Sequence, residues 1–449
     1  MTTAPIAWTE FPAELAIARI VGGGTPSKQV KKYFEGEIPF MTVKDLIERF
    51  PSDTQDHISE EALRDSASTL VAADTVVVAT RMALGKIVRP SIPVAINQDL
   101  KALYLKDGID KTFFEYWWHS HKSVIKRLGT GTTVQGIRIE DIKALPFPAV
   151  GLAEQKRIAE KLDTLLARVD ACRERLDRVP TLIKRFKQSV LRAATSGKLT
   201  EDWRGGKEIE WTFERATDVC AKVQSGGTPK EGFIDSPGIP FLKVYNIVDQ
   251  QVAFNYKPQF VSAASHARAL SKSVTLPGDV LMNIVGPPLG KVGVVPFDHP
   301  EWNINQAITL FRPSDRISTG WLYCILCGGS NIEEIVNETR GSAGQTNISL
   351  SQCRDFVFPV PSIEEQTELV RRVGKLFTIA DRLQAKFENA SNQVERLTPS
   401  LLAKAFRGEL VPQDPNDESA QKLLERLKAT KSAAPPKASP RGRKRTATT

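Results

Sequence analysis

The sequence predicts an α+β chain: two mixed α/β heads in tandem pseudo-repeat, separated by two long helices that pair as an antiparallel coiled coil. Two observations predict it. The motifs of the first half return in the second, and each half ends in a long stretch with an unbroken 3-4 spacing of apolar residues.

The repeat is read from quoted residues. Trp8-Thr9 returns as Trp211-Thr212, Gly23-Gly24-Thr25-Pro26 as Gly226-Gly227-Thr228-Pro229, and Ile38-Pro39-Phe40 as Ile239-Pro240-Phe241. Asp74 with Gly85-Lys86 returns as Asp279 with Gly290-Lys291, and Asn97-Gln98 as Asn305-Gln306. Pro148 with Glu154-Gln155 returns as Pro359 with Glu365-Gln366. The offset is 203, 201, 205 and 208 through the heads, then 211 from Pro148 and Pro359 to Gly197 and Gly408. Each head therefore varies in loop length, while the stretch after it is held to a fixed length.

That stretch is helical. Ile158, Leu162, Leu165, Val169, Cys172, Leu176, Val179, Ile183, Phe186 and Val190 follow one another by alternating steps of 4 and 3. Leu369, Val373, Leu376, Ala380, Leu383, Phe387, Ala390, Val394, Leu397 and Leu401 do the same. A sustained period of about 3.5 keeps one stripe of a helix facing a partner helix, which defines a coiled-coil seam. Gly197 and Gly408 stand where C-caps are expected, and Pro180 predicts a kink. An antiparallel pairing returns the end of the second helix to the first head. A helix of about 40 residues is roughly 60 Å long, so the expected shape is a pseudo-two-fold dumbbell.

The expected organisation is head 1 at 8–150, helix 1 at 151–200, head 2 at 206–362 and helix 2 at 363–411. A helical extension at 412–430 and a basic, disordered tail at 431–449 follow. Within the heads, strands are expected at 75–79, 103–105, 280–284 and 308–311, and helices at 112–127 and 319–337. Phe113, Phe114, Trp117 and Trp118 read as core aromatics rather than a base-stacking platform.

Composition narrows the function. The 449 residues are 41% hydrophobic and 25% charged, which is ordinary globular usage. No run of about 18 apolar residues offers a membrane span. The first residues lack the basic and apolar regions of a secretory signal, and five cysteines at irregular spacing do not form a disulfide framework, so a reducing cytoplasm is expected. The net charge is +9, but the tail supplies six basic residues and no acid, leaving +3 elsewhere. Head 1 holds 18 basic and 18 acidic residues, and head 2 holds 13 and 15. Affinity for a polyanion must therefore come from local patches or from a partner.

Catalytic signatures are missing. Lys86 and Lys291 follow glycines but lack the Ser/Thr of a phosphate-binding loop. Gly129, Gly131 and Gly136 lie in a loop rather than on a strand-helix junction. Cys324 and Cys327 form a lone pair on a helix, read as packing rather than half a zinc site. No metal or cofactor is expected in this chain.

The ordered motifs, doubled, and the ending Ala405-Phe406-Arg407-Gly408-Glu409-Leu410-Val411-Pro412 carry a resemblance. Over about residues 8–425 the chain resembles the DNA-specificity subunit of type I restriction–modification systems. The resemblance implies two target-recognition domains, each reading one half of a gapped duplex target, with the coiled coil setting the gap. It implies no chemistry in this subunit. Its expected partners are double-stranded DNA, two modification subunits that methylate adenine with S-adenosylmethionine, and two restriction subunits that use ATP and magnesium.

Candidate DNA contacts follow from residue chemistry. Thr80, Arg81 and Lys86 in head 1, and Asn283 and Lys291 in head 2, lie on glycine-containing loops after a strand, where backbone can approach phosphate and arginine can pair with guanine. Lys28, Lys31 and Lys32 follow the first Gly-Gly-x-Thr-Pro turn, matched in head 2 only by Lys230; Lys243 is a further candidate in head 2. Gln135 and Arg138, and Gln345 and Asn347, lie on or beside the polar loops ahead of the Phe-Pro segments. The seam is assigned to Ile158, Leu162, Leu165, Val169, Leu176, Ile183, Leu369, Val373, Leu376, Leu383, Phe387 and Val394. Glu154-Gln155 and Glu365-Gln366 read first as N-terminal capping of the long helices and second as part of a docking surface for the modification subunit. Two other functions remain open at this point: a self-standing sequence-specific DNA-binding regulator, and an adaptor whose heads both bind proteins.

Overall fold

The computed structural model describes residues 8–131, 135–338 and 347–429. Gln345 and the basic tail at 431–449 lie outside the described residues. The chain forms two compact units. One runs up to Arg175 and resumes at Ala390; the other is Leu176–Asn389. Each unit contains one head and half of each long helix.

In the first unit a four-stranded antiparallel sheet runs in the order Ile17–Gly22, Leu100–Leu105, Val76–Ala79, Ile87–Val88. A second sheet, Asp56–Ile58, Ile38–Met41, Val94–Ile96, Thr69–Val71, contains the head's parallel pair, Ile38–Met41 with Val94–Ile96. Glu10–Pro12 pairs with Pro146–Pro148 and draws the two ends of the head together. The second unit repeats the plan. Lys222–Ser225, Ile308–Arg312, Val280–Asn283 and Val292–Val294 form the antiparallel sheet, and Ile239–Leu242 pairs in parallel with Asn303–Ile304. Thr212–Arg215 closes against Val357–Val360. The heads are therefore α+β, since nearly all neighbouring strands run antiparallel.

The expected strands lie within a residue or three of their predicted bounds. Both expected head helices are broken. The first divides at His121 into Lys111–Ser120 and Lys122–Leu128. There the His121 amide donates to the carbonyls of both Trp117 and Trp118, and the last turn tightens. The second divides at Gly329, whose φ of 74° ends Thr319–Gly328 before Ser330–Glu338 begins. An apolar period carried across a one-residue break does not reveal the break.

Phe113, Phe114, Trp117 and Trp118 are fully buried around Phe147. The Trp117 indole donates to the carbonyl of Pro146 at 2.8 Å, and Trp321 does the same to Pro359 at 2.8 Å. In both units the head helix is thus pinned to the closing strand.

The first long helix runs Leu152–Asp177 and resumes as Val179–Thr195. Arg178 between them keeps helical angles (φ −82°, ψ −21°). Pro180 falls in the first turn of the second segment, where a missing N–H leaves no intrahelical bond unmade. The second long helix, Ile363–Phe406, is continuous and accommodates Pro399. Gly197 and Gly408 end the two helices at φ 75° and 74°. A Cβ on either would press on an indole, Trp211 at 3.4 Å or Trp8 at 3.3 Å.

Within each unit the helices pair antiparallel. In the first, Gly151 lies against Glu418, while Asp170 and Thr398 line one groove. In the second, Lys187 pairs with Asp381 at 2.7 Å and the carbonyl of Leu199 accepts from Arg372 at 2.8 Å. Of the seam residues, Ile158, Leu162, Val169, Leu369 and Val373 are buried. Leu165, Leu176, Ile183, Leu376, Phe387 and Val394 are half-buried. Leu383 is 49% exposed, against expectation, as are Leu397 and Phe186 at 43% and 39%. Two helices alone cover only a narrow stripe; burial is complete where a head adds a third wall. The extension forms Ala420–Ala429, which buries Leu423 and Leu427 in the core of head 1 and accepts the Lys106 ammonium on the carbonyl of Leu427 at 2.6 Å.

Candidate nucleic-acid interface

The glutamines of the repeated Glu-Gln pair fix each head to its helix. Gln155 accepts from the Asp110 amide at 2.8 Å and donates to the carbonyls of Gly108 and Val150 at 3.0 and 2.7 Å. Gln366 accepts from the Ser318 amide at 2.9 Å and donates to Arg316 and Pro361 at 2.8 and 3.0 Å. Asp110 and Ser318 are themselves the N-caps of the head helices. Glu365 is buried and accepts from Thr200, Arg204 and the Trp211 indole. Burial pushes the Glu154 carboxyl above its usual range. Glu154 and Glu365 lie in the first turns of the long helices, where an acidic group complements the helix dipole, and all four side chains are buried inside the units rather than open for docking. Replacing Gln155 or Gln366 by leucine strands a buried amide and two carbonyls. Each change is expected to destabilise its unit by roughly 2–3 kcal/mol, read as a lower melting midpoint.

Two more of the repeated motifs, Gly-Gly-Thr-Pro and Asn-Gln, meet in each head. A Cβ on Gly23 would lie 1.9 Å from the carbonyl oxygen of Ile96, and one on Gly226 would lie 2.1 Å from that of Ile304. The Gly-Gly-Thr-Pro loop therefore packs backbone to backbone on the strand leading into the Asn-Gln turn. Thr25 donates to Gln98, and Thr228 to Gln306 at 2.7 Å, closing the same joint in both heads.

The loop after the third sheet strand joins next. Thr80 donates its amide to the carbonyl of Asp99 at 2.8 Å and accepts from the Ile137 amide at 2.9 Å. Ile284 does likewise with Ala307 and Ile348, at 2.9 Å each. In head 1 the Met82 amide also donates to Gln135 at 3.0 Å, and Arg81 bridges to Gly136. Two loops are thereby clamped into one ridge. At its base stand Asp99, 3.9 Å from the Arg81 guanidinium, and Lys101, whose pKa burial and the nearby Arg81 draw down while Asp99 raises it.

Individual candidates divide by exposure. Lys28, Lys31, Arg81, Gln135, Arg138, Lys230 and Asn347 are exposed. Lys32 is exposed but paired with Glu61 at 2.7 Å. Lys86 donates to the carbonyl of Leu46 at 2.9 Å, and the Lys243 ammonium sits 4.3 Å above the Phe233 ring. Lys291 is half-buried. Two candidates are corrected. Thr80 is buried, with its hydroxyl on Asp99 at 3.2 Å. Asn283 is 1% exposed; it accepts from the Lys291 amide at 2.7 Å and donates to Pro288 at 3.0 Å. Their side chains are spent on holding the loops.

Among the described residues no group of three or more His, Cys, Asp or Glu could hold a metal ion. Burial pushes the thiols of Cys324, Cys327 and Cys353 up to about 12, so they act as packing. No helix of the described residues is long and apolar enough to cross a membrane.

Known proteins share this plan. A family model described as the type I restriction modification DNA specificity domain matches residues 16–180 and again 208–390. The chain is 32% identical to the type I restriction enzyme EcoBI specificity subunit of Escherichia coli, over 77% of each chain. It is 28% identical to the StySPI specificity subunit of Salmonella potsdam, over 96% of each. Among solved structures, a chain described under complex assembly and conformational transition of the type I R-M system aligns with a TM-score of 0.69 at 16% identity. That alignment covers 91% of this chain and 100% of the other. The HsdS subunit from Thermoanaerobacter tengcongensis aligns with a TM-score of 0.59, also at 16% identity, over 91% and 98%.

Proposed function

Because the chain belongs to the type I restriction modification DNA specificity family, we propose that each head reads one half of a gapped duplex target for a restriction–modification complex. The subunit does no chemistry itself. Two modification subunits bring S-adenosylmethionine and methylate adenine, and two restriction subunits bring ATP and magnesium. One observation carries this reading. The two heads share their joints (Gly-Gly-Thr-Pro on Asn-Gln, and Gln155 or Gln366 on the helix) but differ at the loop tips those joints present. Identical framing with different tips is what two readers of different sequences require, because phosphate contacts position a protein while base contacts specify.

In head 1 the DNA-facing candidates are Arg81, Gln135 and Arg138 on the ridge, with Lys28 and Lys31 on phosphate. In head 2, Lys230 and Asn347 take the corresponding places. The modification subunits dock on the paired helices, where the large apolar side chains Leu182, Phe186, Ile379 and Leu383 are exposed. Near-neutral heads suit a subunit whose partners supply part of the phosphate clamp.

Coexpression with the modification subunit tests this. The expected result is a stable complex whose affinity for one gapped duplex falls steeply with added salt. A chain that stays alone and binds a single site tightly would be a regulator. A complex with no salt-dependent DNA affinity would be a protein adaptor.

A further inference from the structure

The ridge of head 1 carries a feature that packing does not explain. Arg81, Met82 and Ala83 form a three-residue turn in which the Ala83 amide donates to the Arg81 carbonyl at 2.6 Å. Met82 sits at its centre with φ 60°. Turns of this kind with a left-handed central residue are rare and strained, and the left-handed region favours glycine. Yet the Met82 side chain is 66% exposed, so burial does not offset the strain.

The sister head shows what the turn requires. Thr80 and Ile284 make the same two backbone bonds, which places Met82 opposite Gly286. Gly286 is also left-handed, at φ 86°, and a Cβ added to it would point into open space. Head 2 thus uses the residue the backbone prefers. Head 1 keeps a large apolar side chain at the tip, beside the open Arg81 guanidinium and Gln135. Backbone bonds from the Met82 amide to Gln135 and from the Ile137 amide to Thr80 hold the strained turn in place.

Resting on the functional reading above, we infer that Met82 is a specificity-determining residue. It lays its thioether side chain against the C5-methyl of a thymine in the major groove at one position of the head 1 half-site. An exposed apolar tip on a rigid ridge is suited to that methyl, the one apolar feature on a base edge there. Flanking Arg81 supplies polar contact to the neighbouring base. Strained residues collect where geometry serves recognition. Head 2, with Gly286 in this place, has no counterpart to the contact.

The test uses the full subunit with its modification subunit, and duplexes carrying the gapped target. Each thymine of the head 1 half-site is replaced in turn by deoxyuridine, which removes only the methyl. The wild type is expected to lose about fourfold in affinity at one position. Met82→Gly is expected to bind thymine and uracil there equally, and to leave the head 2 half-site unchanged. Its thermal midpoint should be no lower than that of the wild type, because glycine takes the turn without strain. A wild type indifferent to uracil at every position would overturn the inference, as would a Met82→Gly variant that still discriminates fourfold. A wild-type complex that recognises no gapped duplex would instead overturn the functional reading on which it rests.

Discussion

One heptad inserted into each long helix at facing positions, beside Asp170 and beside Thr398, is expected to lengthen the gap between the two half-sites by about three base pairs. The half-sites themselves should keep their sequences. Seven residues preserve the 3-4 seam and add about 10 Å of helix at 1.5 Å per residue, and three base pairs span about 10 Å of duplex at 3.4 Å each. The insertion touches no loop of either head. Asp170 and Thr398 line the same groove, so paired insertions keep the helices in register. Inserting into one helix alone shifts one side of the pair against the other and should abolish recognition. The readout is the methylated motif. A lengthened spacer agrees with a helical frame that sets the gap; an unchanged spacer shows that something else sets it.

Glu115→Ala should destabilise the first unit by about 3–5 kcal/mol. Glu115 is 2% exposed and holds two arginines, Arg89 at 2.6 Å and Arg49 at 2.8 Å. Arg49 also reaches Asp163 of the long helix at 2.6 Å, so the carboxylate organises a link from the head's core helix to the frame. Removing it leaves two guanidinium groups facing each other in a part-buried site. Arg49 is one-third exposed, and water relieves some of that repulsion, which places the expected value toward the low end. Chemical unfolding should show the first unit melting earlier while the second is unchanged. Glu115→Gln, which keeps shape and acceptor but loses charge, should lie between alanine and wild type.

The doubling and the helices were legible because both are written in repetition. Ten evenly stepped apolar residues in each helix and paired motifs in each head need no tertiary knowledge. The seam was legible only as a stripe: which of its members the heads would cover, leaving Leu383 and Phe186 open, depends on contacts remote in sequence. The breaks at His121 and Gly329 were hidden because apolar spacing continues through them. At the candidate interface, residue type pointed to loops that the fold brings together, but it could not tell open side chains from those bonded within the loops. Thr80 and Asn283 are polar and well placed in sequence, yet their hydrogen bonds are used inside the loops. Met82 stood out in no pattern, being apolar, and the offset of 205 sets it opposite Pro287; only the backbone bonds of Thr80 and Ile284 place it opposite Gly286. The partners of Gln155 were hidden for a similar reason. A glutamine near a helix start suggests capping, and only the fold reveals that three partners 5 to 47 residues away converge on it.

The central claim is that one chain frames two different readers. Single-molecule methylome sequencing of cells expressing this subunit with its modification partner, compared with cells lacking it, tests that claim most directly. The account predicts adenine methylation at one two-part motif with a fixed gap, and loss of that motif when the gene is absent. Methylation at a continuous, ungapped motif, or at sites that do not change when the gene is removed, would contradict it.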